Sequence, residues 1–75
     1  SLVFVNNGNI LVTFGFEEKS DVVVTVLNVA GQEISAPKNM TVTNETIKLD
    51  NPDAHGIYLV RIARGEEVVT KKIYY

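Results

Sequence analysis

The stretch Gly56-Ile57-Tyr58-Leu59-Val60-Arg61-Ile62-Ala63-Arg64-Gly65 constrains this chain more than any other. Tyr58, Val60 and Ile62 alternate with Leu59, Arg61 and Ala63, the period of an extended strand with two different faces. Gly65-Glu66 is a two-residue reversal, so the following Val68-Val69-Thr70-Lys71-Lys72-Ile73-Tyr74-Tyr75 should return beside it as a hairpin. That register sets Arg64 opposite Glu67, Ile62 opposite Val69 and Tyr58 opposite Ile73. It places Val69 and Ile73 inside, leaves Lys72 outside near Leu59, and requires Lys71 to snorkel past a sheet edge. Gly56 is read as a corner, where a β-branched replacement would cost about 1 to 3 kcal/mol if its φ is positive. Tyr58, just past it, is placed to bury its ring and return its hydroxyl to a backbone group, as in the tyrosine corner of β-sandwiches.

Composition extends this pattern to the whole chain. Val, Ile and Thr supply 24 of the 75 residues and Ala and Leu only nine, a balance that favours strands over helices. The expectation is one all-β domain over residues 1–75. With no cysteine, neither a disulfide nor a thiolate-zinc site can staple it. A net charge of −2 gives no support to a nucleic-acid partner, and no apolar run reaches the length needed to cross a bilayer. No signal peptide stands at Ser1; a leader would belong upstream on a larger precursor.

In chain order, Leu2–Val5 and Ile10–Phe14 flank Asn7-Gly8, a hairpin turn that accommodates positive φ. Glu17-Glu18-Lys19-Ser20-Asp21 reads as a solvated turn in preference to a calcium loop, because the stretch lacks a defined ligand spacing. Val22–Val29 reads as a second central strand. Ala30-Gly31-Gln32 turns the chain into a short return strand, Glu33-Ile34-Ser35, which Pro37 stops. Met40–Val42 and Glu45–Leu49 make one or two more strands around Thr43-Asn44. Asp50–His55 is a polar connection able to carry the chain from one sheet to another. The expected architecture is a small immunoglobulin-like β-sandwich of six to seven short, mainly antiparallel strands.

No constellation for catalysis is legible. His55, the only histidine, has no cysteine to pair with and no serine in a nucleophile setting, and reads as a loop imidazole. The Asn39-Met40-Thr41 and Asn44-Glu45-Thr46 triplets match the glycosylation pattern at a frequency that chance supplies. Neither an enzyme nor a cofactor is expected. A passive spacer or adhesion domain and a carbohydrate-binding module are the alternatives, the latter disfavoured because there is no tryptophan and only Tyr74 and Tyr75 fall outside strand interiors.

Three segments in order resemble the C-terminal sorting domain of the type IX secretion system of Bacteroidetes-type bacteria. Val24–Ile34 is similar to its strand, glycine turn and strand, with Gly31 in the turn. Gly56-Ile57-Tyr58 is similar to its Gly-x-Tyr motif, and Thr70-Lys71-Lys72-Ile73 plus two residues to its lysine-bearing end. The resemblance covers about residues 22 to 75; the Asn-Pro motif that opens many members is absent, and Leu2–Phe16 is closer to the variety with an apolar hairpin. It implies a recognition motif of Gly31, Gly56, Tyr58, Gly65, Lys71 and Lys72, with cleavage near Ser1 as in the members that lose the domain, retention of the domain as in others being the alternative. The implied partners are an outer-membrane translocon, a sortase-like cysteine protease and N-terminal cargo domains. The implied itinerary runs through the periplasm to the outer membrane, the cell surface or the medium. A monomer is expected, an edge-strand dimer being the alternative.

Overall fold

The computed structural model describes residues 1–75 and contains five strands and no helix. They are β1 (Leu2–Asn6), β2 (Asn9–Asn28), β3 (Lys38–Lys48), β4 (Ile57–Arg64) and β5 (Glu67–Tyr74). All pair antiparallel in one sheet of order β1-β2-β4-β5, with β3 added to β2. The all-β sandwich expectation holds, but with five strands, because two pairs of expected short strands are continuous. Ile10–Phe14 and Val22–Asn28 are the two ends of β2, with Val29 just past it, and Met40–Val42 and Glu45–Lys48 belong to β3. Glu17–Asp21 is therefore the middle of a strand and not a turn. Its polarity records exposure of Glu17, Glu18 and Lys19 to water, and an extended backbone places no hydrophobic requirement on side chains that leave the core.

At about 3.3 Å per residue a straight strand of this length would run to roughly 65 Å, whereas the longest dimension of the molecule is 35 Å. β2 must bend. The bend lies where its ladder with β3 slips: Gly15 pairs with Asn44 and Ser20 with Val42, so five steps on β2 oppose two on β3. Extra residues on one strand bend it and increase its twist. Two side-chain hydrogen bonds hold β3 on either side of the slip, Thr13 Oγ1 to Thr46 Oγ1 at 2.9 Å and Thr41 Oγ1 donating to Asp21 Oδ1 at 2.7 Å. β1 pairs with Asn9–Thr13 and β4 with Val23–Asn28, so both use the edge of β2 opposite β3, on different sides of the bend. The connection from Leu49 to Gly56 then carries the chain between layers, as its length and polarity suggest.

The bend makes a core out of alternation. Ile10, Val12 and Phe14 before it and Val22, Val24 and Val26 after it share one buried cluster with Val42, Leu49, Val60, Ile62 and Ile73. Every second residue of β2 faces that cluster on both sides of the bend. Thr25 and Leu27, on the opposite face, are also buried, beside the loop that follows β2.

Both hairpins fall as expected. Asn7 and Gly8 have φ of 52° and 76°, and β4 pairs with β5 from Arg64↔Glu67 to Ile57↔Tyr74, including Ile62↔Val69, Leu59↔Lys72 and Tyr58↔Ile73. Ile73 is buried as expected, but Val69 is 42% exposed, because β5 is the last strand and no further strand pairs along its outer side. The Glu33–Ser35 strand reduces to a single bridge, Leu27↔Glu33. Asn28 Oδ1 accepts from the N–H groups of Ala30 and Gln32, both at 3.0 Å, and this tightens the loop before a ladder can grow.

Phe14 is fully buried at the bend. Phe14→Ala should lower stability by about 3 to 5 kcal/mol, while Tyr74→Ala, at a side chain 67% exposed, should change it by less than about 0.5 kcal/mol. Chemical denaturation of the purified variants measures both.

Candidate recognition surface

Tyr58 anchors the one locally elaborate region. Its hydroxyl donates to the carbonyl of Ala54 at 2.7 Å, which supplies the backbone partner of the tyrosine corner. Its ring meets that of Tyr75 edge-on at 6.3 Å, and Tyr75 stacks on His55 at 5.1 Å. Gly56 and Tyr75 exchange two backbone hydrogen bonds, at 2.9 and 2.8 Å. His55 is thus a packing partner of an aromatic group, and Tyr75 is half-buried in it, leaving Tyr74 as the exposed aromatic. The Tyr75 contacts were not legible in the sequence, since nothing local to residue 75 specifies what lies across the hairpin.

Gly56 does not have a positive φ. The glycines with positive φ are Gly8, Gly31 and Gly65, at 76°, 84° and 60°. A Cβ on Gly56 would meet nothing nearer than the Tyr58 ring at 4.0 Å. The corner is made by the Tyr58 hydroxyl and by the backbone pairing of Gly56 with Tyr75, so the chain bends at residue 56 without a left-handed backbone there. Gly31 sits in the loop after β2 and donates to the carbonyl of Asn28 at 3.0 Å; Gly65 opens the β4–β5 turn.

Five of the six motif residues, Gly56, Tyr58, Gly65, Lys71 and Lys72, lie on or beside the β4–β5 hairpin, and Gly31 does not. Asn28 pairs with Tyr58, which puts the Gly31 loop at the Tyr58 end of the sheet, while Gly65 is at the other end. Lys71 and Lys72 are both exposed on β5 and project to opposite faces, opposite Val60 and Leu59 respectively. Lys71 stands opposite the buried Val60 and is nevertheless exposed, at the open outer side of β5. Lys72 Nζ lies 5.7 Å from the centre of the Tyr74 ring. Ser1 is exposed and helps line a small cavity of about 120 Å³ with Phe16, Ile62, Arg64, Glu67 and Val69, where β1 approaches β5.

Two further contacts flank the hairpin and were not anticipated. The Arg64 guanidinium lies 4.2 Å from the centre of the Phe16 ring, tying the end of β4 to the bend of β2. Arg61 pairs with Glu33 at 3.6 Å, tying β4 to the loop after β2. No three His, Asp or Glu side chains converge in a way that could hold a metal ion, and Asp21 accepts from Thr41 while Glu17 and Glu18 stay exposed. The surface on offer is an exposed hairpin with an open edge.

Gly65→Ala should cost about 1 to 2 kcal/mol through its left-handed backbone, whereas Gly56→Ala should stay within about 0.5 kcal/mol. Tyr58→Phe should cost about 0.5 to 1.5 kcal/mol by removing the bond to Ala54. Thermal melts of the three variants against the parent chain check all three values.

A family model described as the secretion system C-terminal sorting domain matches residues 6–75. No curated protein and no solved structure matches the chain.

Proposed function

This chain belongs to the secretion system C-terminal sorting domain family, and from that premise we propose that it is an address label read in its folded state, chiefly on the β4–β5 hairpin. The family is one of type IX secretion sorting signals, so the chain's association is with that secretion system and with a cargo on its N-terminal side, and its destination is the cell surface or the medium. In the finer reading, cargo and label reach the periplasm together. The outer-membrane translocon engages Lys71 and Lys72, with the Gly31 and Gly65 turns fixing the loops at the two ends of the sheet. A sortase-like cysteine protease then cuts near Ser1.

The observation that carries this reading is the exposure of both lysines on a strand that is otherwise unpartnered on one side. Two adjacent solvated cations contribute little to folding, while their placement on opposite faces of an edge strand suits a receptor that grips the strand from both sides. The spacer alternative assigns these residues no role.

A folded reporter fused in front of Ser1 should reach the surface of a strain carrying the type IX machinery. Lys71→Ala with Lys72→Ala should lower its surface fraction severalfold while shifting stability by less than about 0.5 kcal/mol. Surface proteolysis of the reporter and a melt of the isolated double variant give the two readouts. Normal export of the folded double variant would remove the lysines from the signal, and retention of the unaltered fusion in the periplasm would overturn the sorting reading of these residues.

A further inference from the structure

The outer side of β5 has no ladder, and the register determines which of its backbone groups are free there. Gly56 and Tyr75 form a doubly hydrogen-bonded pair, and such pairs recur at every second residue of an antiparallel ladder. Along the unbroken register the others are Tyr58–Ile73, Val60–Lys71, Ile62–Val69 and Arg64–Glu67. The N–H and C=O groups of Val68, Thr70, Lys72 and Tyr74 therefore point away from β4, toward the open edge.

Along that edge the sequence reads Glu66-Glu67-Val68-Val69-Thr70-Lys71-Lys72. Laid antiparallel to itself about Val69, it sets Glu66 opposite Lys72, Glu67 opposite Lys71 and Val68 opposite Thr70, with Val69 facing its own copy. The backbone parity agrees with this register. Val68 and Thr70, both with outward backbone groups, become the bonded pair. Glu67–Lys71 and Val69–Val69 fall at the non-bonded positions, where side chains approach most closely. Moving the axis to Thr70 sets Glu67 against Ile73 and Lys71 against Val69; moving it to Lys71 opposes two lysines. Only the axis through Val69 matches every charge with its opposite. All the side chains concerned are exposed, with Val68 57% and Val69 42% accessible at the centre. β1 approaches this edge, with Ser1 across a small cavity from Glu67 and Val69, but no ladder joins the two strands, so the added copy displaces Ser1 from beside Val69.

We propose that β5 is a self-recognition edge, on which a second copy of this chain adds its own β5 about a twofold axis through Val69. The contact is isologous, with two kinds of Glu–Lys pair, each repeated by the symmetry, around an apolar centre. It goes beyond the sorting reading and does not rest on it. Because it engages Lys71 and Lys72, self-association and capture of those lysines by another partner exclude each other.

Sedimentation equilibrium of the 75-residue chain from micromolar to millimolar concentration tests the proposal. A strand-to-strand contact is a small interface, so a monomer–dimer equilibrium that weakens with salt is expected. Lys71→Glu with Lys72→Glu, and separately Glu66→Lys with Glu67→Lys, should each lower the association constant about tenfold or more by opposing like charges. An equimolar mixture of the two variants should restore association as a heterodimer. Thr70→Pro removes an N–H from the free edge and none from the β4 ladder, so it should abolish the dimer while melting as a folded monomer. A parent chain that stays monomeric throughout, a dimer that survives both charge reversals, or a mixture that fails to associate although both variants are folded would overturn the proposal.

Discussion

The bend in β2 is the constraint on which the rest of this structure depends. One strand supplies Ile10, Val12 and Phe14 on one side of the bend and Val22, Val24 and Val26 on the other, six of the eleven residues of the buried cluster. A small domain without cysteines has little apolar area to bury and no covalent staple, and this one forms much of its core by folding a single strand over itself. β3 follows the bend, β1 and β4 take the remaining edge on either side of it, and β5 extends the far layer. Since β1 and β5 are joined by no ladder, the sheet curls without closing and retains a free edge.

That arrangement leaves most of β5 outside the core. The interior belongs to β2, with Val42 of β3, Leu49, and Val60 and Ile62 of β4, while of β5 only Ile73 is buried. Side chains on β5 other than Ile73 can therefore vary with little effect on stability. At one end of the β4–β5 hairpin, Tyr58 and the ladder from Gly56 to Tyr75 fix its position. At the other, Arg64 packs on Phe16 at the bend, so the hairpin is secured at both ends and open between them.

Local chemistry accounts for what the sequence made legible. Asn7-Gly8 and Gly65-Glu66 announce their turns through positive φ, and the alternation of Tyr58, Val60 and Ile62 sets both the face and the register of the last hairpin. The Tyr58 corner was legible as a type, although its partner, Ala54, was not. Polarity misled at Glu17–Asp21, where charged residues mark an exposed stretch of strand and not an interruption of it. Gly56 misled because a glycine beside a corner suggested special backbone geometry, whereas the hydroxyl and the ladder make that corner. The lysines' positions on opposite faces of β5 followed from register, and their exposure, like that of Val69, followed from β5 being last in the sheet, a long-range property that no window of residues contains.

The central claim is that the label is presented by an intact β4–β5 hairpin and not by a strand peeled away from it. Arg61 and Thr70 face each other at a non-hydrogen-bonded position, where Cα atoms lie about 4.5 Å apart, within the range a disulfide spans. Arg61→Cys with Thr70→Cys in the reporter fusion would bolt β5 to β4 in the oxidising periplasm. The direct measurement is the surface fraction of the cross-linked fusion, with disulfide formation verified by thiol labelling. Surface delivery equal to that of the uncross-linked parent is the predicted result; periplasmic retention of the cross-linked form, relieved by serine in place of both cysteines, would contradict the account.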